Sequence, residues 1–119
     1  MEGSNTVLIT DFSEVFYDCD HLSEADFVSV LLGIEEEGIP YDVQAEHCSS
    51  VLELAHNASL NSRLGVGVGI SKEGVVLQHE KLDKAAPLLR LSLYQTELFR
   101  KIGANAARLV KKMPFKVLD

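Results

Sequence analysis

Leu64-Gly65-Val66-Gly67-Val68-Gly69-Ile70 alternates without a break, with Val66, Val68 and Ile70 on one side of an extended chain and Gly65, Gly67 and Gly69 on the other. Strict alternation predicts a strand, and a bare glycine face lets a helix or a partner lie close against it. Ser71-Lys72-Glu73-Gly74 has turn chemistry, and Val75–His79 returns as a second strand. These glycines do not make a nucleotide loop. A dinucleotide fingerprint needs G-x-G-x-x-G between strand and helix, and a phosphate loop needs Gly-Lys-Ser/Thr, whereas Ile70-Ser71 and another strand follow here.

Upstream, Thr6–Phe12 is rich in strand formers and predicts a first strand, and Asp18–Leu22 is a polar connection. Ser23-x-x-Asp26 is close to a capping box and opens a helix whose stripe is Phe27, Leu31 and Ile34, with Val28 and Leu32 beside it. Gly38-Ile39-Pro40 ends that helix, and Ile39–Gln44 predicts a second strand. Ser50-x-x-Glu53 opens another helix through Val51, Leu54, Ala55 and Ala58. Downstream, Pro87-Leu88-Leu89 begins a short apolar segment. Ser92-x-x-Gln95 then precedes a long helix to about Lys112 that buries Leu98, Ile102, Ala106 and Leu109, and Met113–Leu118 predicts a closing edge strand. This order of elements makes residues 1–119 one α/β domain with a mixed sheet.

The chain has 119 residues, 46% of them hydrophobic and 24% charged, which suits one globular domain. A net charge of −7 argues against general nucleic-acid binding. No apolar run is long enough for a membrane span, and no signal peptide is evident at the N-terminus. The two cysteines then read as reduced thiols and the expected location is the cytoplasm. The charge is divided sharply. Residues 1–62 hold 13 acids and no Lys or Arg, and residues 63–119 hold 11 bases and 5 acids. Either the two halves attract each other within one fold, or a bipolar surface orients a protein partner.

Cys19, His21, His47 and Cys48 offer zinc-ligand atoms, but Cys-x-His and His-Cys are not the usual spacings, and polar loops explain them as well. His56 and His79 are isolated, and no Ser, His and acid grouping suggests a triad. Arg100–Lys112 could touch phosphate, although cations at a helix C-terminus are explained by the macrodipole. Glu35, Glu36 and Glu37 do break a local rule. They are consecutive carboxylates in a last helical turn, where the macrodipole disfavours anions and they repel one another. A metal ion or a partner's Arg or Lys would complete such a site, and a solvated acidic face is the plain alternative.

Leu31-Leu32-Gly33-Ile34-Glu35-Glu36-Glu37-Gly38-Ile39-Pro40 resembles the family of cobalamin-dependent diol and glycerol dehydratase medium subunits and their reactivating-factor small subunits. The resemblance continues through Gly65–Ile70, Ala86-Pro87-Leu88-Leu89 and Ile102-Gly103-Ala104-Asn105-Ala106-Ala107-Arg108, over about residues 30–119. Medium subunits are longer, and Val110-Lys111-Lys112-Met113-Pro114-Phe115 resembles the Val-Lys-x-x-Pro-Phe ending of the reactivase small subunits. The Asp-x-His-x-x-Gly motif of histidine-ligated cobalamin proteins is absent from the sequence.

The resemblance implies a three-layer α/β/α sandwich with a mixed, mainly parallel sheet, like the core of the medium subunit. It implies a non-catalytic subunit of a chaperone-like reactivase. The large subunit would bind ATP or ADP, the two kinds of subunit would form a heterotetramer, and exchange with the medium subunit would release damaged cobalamin from inactivated dehydratase. Glu36 would reach a magnesium ion at the interface with the large subunit, with Glu35 and Glu37 beside it. No cobalamin is expected on the isolated chain, and microcompartment association is left open. The alternatives are a short dehydratase medium subunit and a free-standing ligand-binding domain.

Overall fold

The computed structural model describes residues 13–48 and 50–116. Its strands are β1 (Ser13–Asp18), β2 (Tyr41–Glu46), β3 (Val66–Ser71), β4 (Gly74–His79) and β5 (Leu89–Leu91), and its helices are α1 (Val28–Glu36), α2 (Val51–Asn61) and α3 (Phe99–Lys111). They build one sheet in the order β2-β1-β3-β4-β5. β1 is parallel to β2 and to β3, while β3–β4 and β4–β5 are antiparallel, so β4 alone runs against the others. The α1–α3 pair covers one face of the sheet and α2 the other. This is the α/β/α sandwich that the resemblance implied.

The alternation in β3 sets the two layers apart. Val66, Val68 and Ile70 join Val15, Val75 and Leu77 under Phe27, Val30, Ile34 and Ile102 in the main core. The glycine face carries α2. A Cβ on Gly67 would lie 2.2 Å from the Ser59 nitrogen, and one on Gly69 would lie 2.4 Å from the Ala55 nitrogen. Ala55, Ala58 and Ser59 are small and fully buried, so helix backbone rests almost directly on sheet backbone.

The two helices on the opposite face cross just as closely. A Cβ on Gly33 would meet the Arg100 carbonyl oxygen at 2.1 Å, and one on Gly103 would meet that of Val30 at 2.0 Å. This reciprocal contact between α1 and α3 brings the end of α1 against the basic side chains of α3.

Several elements depart from expectation. The strand expected at Thr6–Phe12 lies outside the described residues, and β1 begins at Ser13. The first helix is a 3-10 turn over Glu24–Phe27 followed by α1, with the Ser23 amide donating to Asp26 Oδ2 at 2.9 Å. Val30 takes a core position, while Val28 and Leu32 are 48% and 37% exposed. Ser92 and Gln95 form their capping contact in the turn before α3, which starts only at Phe99. Ile102 and Ala106 of α3 are buried as expected, but Leu98, just before that helix, and Leu109 are half-buried, and Phe99, Asn105 and Val110 join the interior. Met113–Lys116 is irregular rather than the expected edge strand, and Val117 and Leu118 lie outside the described residues.

Candidate functional site

The end of α1 is where the sequence broke a rule, and α3 supplies the missing cations. Arg100 Nε donates to both carboxylate oxygens of Glu36 at 3.0 Å, and its Nη2 also contacts Oε2. Arg108 Nη2 donates to Glu37 Oε2 at 3.2 Å, and Lys111 Nζ donates to Oε1 at 3.1 Å. Lys111 Nζ also donates to the Glu37 backbone oxygen at 2.7 Å, which places a cation on a free carbonyl at the end of the helix. The guanidinium of Arg100 holds the Glu36 carboxyl below its ordinary pKa, and Arg108 with Lys111 does the same for Glu37. The penalty inferred from the Glu triplet is therefore offset within the chain at Glu36 and Glu37.

The two pairs differ in setting. Glu37 is largely enclosed, with 12% side-chain exposure, so its contacts act as a structural clamp between α1 and α3. Glu36 and Arg100 are about half exposed and face solvent, and Glu35 is exposed beside them. A surface pair of this kind contributes little to stability and can be rearranged at small cost.

The tail joins the same face. Buried Asn105 donates to the Lys116 carbonyl at 3.0 Å and accepts from the Lys116 amide at 2.6 Å, as a neighbouring strand would. Arg108 Nη1 donates to the Pro114 carbonyl at 3.2 Å. Arg108 thus ties both the end of α1 and the Pro114-Phe115 segment to α3. Sequence reasoning missed Asn105, because a lone Asn within a helix gives no sign that it substitutes for a strand. Asn105→Ala is expected to free residues 113–116 and lower stability by about 1–2 kcal/mol, the scale of two lost hydrogen bonds partly replaced by water. Faster hydrogen exchange at the Lys116 amide, with α3 protection retained, checks this.

The metal-type residues separate into two groups. Cys19, Asp20 and His47 converge where β1 and β2 end. His21 instead engages Asp18 Oδ2 at 2.6 Å, and the Cys48 thiol points to the Ser50 carbonyl and to Glu53. His79 Nδ1 accepts the Lys81 amide at 3.2 Å, a turn contact.

Residues 13–116 match the family model described as dehydratase medium subunit. The chain belongs to the dehydratase medium subunit family. Within this family it is 47% identical over 88 residues to the propanediol dehydratase-reactivating factor small subunit of Citrobacter freundii, covering 73% of this chain and 76% of that one. Among solved structures, it matches diol dehydratase-reactivating factor complexed with ADP and Mg2+ with a TM-score of 0.80 and 36% identity, over 89% of this chain and 96% of that one. It matches glycerol dehydratase reactivase with a TM-score of 0.83 and 29% identity, over the same two shares. These family relatives share the sandwich and include both diol- and glycerol-linked factors.

Proposed function

We propose that this chain is the small subunit of a diol or glycerol dehydratase-reactivating factor, an accessory protein that works by docking. The observation that carries this reading is near-complete coverage of solved reactivase chains, together with 47% identity to a reactivating-factor small subunit. A short medium subunit of the dehydratase itself is the weaker alternative, because the relatives above are named as reactivating factors. The partners on this reading are a large subunit that binds and hydrolyses ATP, with which the chain forms a heterotetramer in the cytoplasm, and the dehydratase that is reactivated. No helix among the described residues is long and apolar enough to cross a membrane.

The exposed side of α1 suits the docking role. Val28, Leu32 and Glu36 follow at four-residue spacing, giving an apolar footing that ends in a charged pair. Glu35 and the largely enclosed Glu37 flank that end. Magnesium takes oxygen ligands, and commonly only one or two of them are protein carboxylates. Exposed Glu36 fits as a single such ligand, and its present hold on Arg100 means that guanidinium and cation would compete for the same oxygens. Glu36 would hold such a magnesium, which would supply positive charge where the two subunits meet.

Co-expression with the large subunit tests the assignment. The pair should purify together and restore activity to an inactivated dehydratase. Assembly of this chain instead with the dehydratase large and small chains into an active enzyme would overturn it. For the interface, Glu36→Gln should melt like the parent, because the Arg100 pair is exposed. Its affinity for the large subunit in magnesium should fall at least about thirtyfold, the lower end for a desolvated charged contact. Chelator should weaken the parent to the level of the variant. Equal affinities in all four arms would remove Glu36 from the interface and leave the assignment standing.

A further inference from the structure

At the far ends of β1 and β2, three side chains of different chemistry converge on one point. His47 Nδ1 lies 2.9 Å from Asp20 Oδ1 and 3.7 Å from Cys19 Sγ. One ligand atom from each of the three lies within 4.8 Å of the others. Zinc held at about 2.3 Å from sulfur and about 2.0 Å from nitrogen or oxygen sets tetrahedral ligand edges of roughly 3.3–3.6 Å. The two separations from His47, 2.9 and 3.7 Å, bracket that range, and no pair of ligand atoms lies beyond 4.8 Å.

The supporting frame is rigid where it matters. β1 and β2 are parallel neighbours in register up to Asp18 and Glu46, and the Cys19 amide continues the ladder by donating to the Glu46 carbonyl at 2.9 Å. Asp18 is fully buried, and its Oδ1 accepts the Asp20 amide at 3.0 Å while Oδ2 engages His21. The two loops that carry the ligands are therefore fastened to each other and to the sheet. His47 and Asp20 remain 79% and 52% exposed, so a metal could enter freely.

We propose that Cys19, Asp20 and His47 form a zinc site with water in the fourth position. Thiolate and imidazole favour zinc or cobalt(II) over magnesium or calcium. An open fourth position gives the bound ion room for one further ligand from solvent or from another protein. This site lies on the sheet's strand ends, apart from the Glu36 face, and does not rest on the assignment made above.

The site would hold the metal through the Cys19 thiolate, the Asp20 carboxylate and a neutral His47 imidazole.

The experiment is a titration of the full chain, kept reduced by a non-thiol reductant, with cobalt(II) and then with zinc. One equivalent of cobalt should produce a thiolate-to-metal charge-transfer band and intense visible bands of a tetrahedral ion, and one equivalent of zinc should displace it. Cys19→Ser should abolish the charge-transfer band, and His47→Ala should weaken binding at least about tenfold. Cys48→Ser and His21→Ala should bind as the parent does. Thermal melts serve as the control for folding, and zinc should raise the melting temperature of the parent but not of Cys19→Ser. A stoichiometry other than one, a band that survives Cys19→Ser, or a band lost in Cys48→Ser would each overturn the site.

Discussion

Gly67→Val is expected to leave little or no folded protein. The new Cβ would sit 2.2 Å from the Ser59 nitrogen, 2.6 Å from the Ala58 carbonyl carbon and 2.8 Å from the Ala55 carbonyl oxygen. All three are backbone atoms of α2, so no side-chain rotation relieves the clash. The helix must lift off the sheet, which opens gaps around Phe16, Leu54 and Val76. Overpacking a core ordinarily costs about 1–3 kcal/mol. Here displacement of a whole helix puts the loss at about 3 kcal/mol or more, a large share of the roughly 5–15 kcal/mol that stabilises a domain. Soluble yield and thermal unfolding of Gly67→Ala and Gly67→Val measure this, with the alanine form already impaired. A Gly67→Val protein that melts like the parent would show that α2 does not lie where it is described.

Glu14→Gln is expected to stabilise the protein above neutral pH and to do nothing in acid. Glu14 is only 3% exposed and stands in register with Asp42 on the neighbouring parallel strand. Burial is the main cause of its raised pKa, the Asp42 charge and hydrogen bond add to it, a hydrogen bond with Asn61 opposes it, and the result is a carboxyl pushed up from 4.5 to about 7. Its Oε1 has no hydrogen-bond partner among the described residues. Below pH 4.5 the group is protonated whether the chain is folded or not, and no penalty exists. As the pH rises from 4.5 to about 7, the unfolded chain releases this proton and the folded chain retains it, so stability falls. At about 1.4 kcal/mol per pKa unit, the accumulated loss is about 3–4 kcal/mol above pH 7. The side-chain amide introduced by Glu14→Gln would present an NH2 donor to Asp42 much as the protonated carboxyl does, without the titration. Denaturant melts at about pH 4 and about pH 8, on either side of the shift, should show a gain only at the higher value. An equal effect at both would mean that folding does not raise the pKa of Glu14.

Local pattern carried the sequence reading wherever the fold is locally determined. The β3–β4 hairpin, the glycine face and α2 from Val51 through Ala58 all follow from neighbouring residues. The Ser50 hydroxyl accepts the Glu53 amide as its spacing suggested. β1 was hidden because Ser13-Glu14-Val15-Phe16-Tyr17-Asp18 buries two acids and a serine, whereas periodicity arguments place polar residues outside. The tail misled in the opposite way, since its apolar run is held by the side chain of Asn105 instead of by a strand. At Glu35–Glu37 the conflict was visible and its resolution was not. A capping pair sits three residues apart, but Arg100 lies 64 positions beyond Glu36 and Lys111 lies 74 beyond Glu37. Only the crossing at Gly33 and Gly103 brings them together.

That distance along the chain has a consequence during synthesis. The ribosome makes residues 1–62 before residues 63–119, and the earlier stretch carries acids with no lysine or arginine to neutralise them. When α1 leaves the exit tunnel its three terminal carboxylates face one another and the negative helix end, and they stay so until α3 follows. The clamp of Glu37 by Arg108 and Lys111 can close only after α3 has left the tunnel. The helical layer over β1 is thus completed only after all five strands have been made, and until then the acid-only stretch keeps its charge uncompensated.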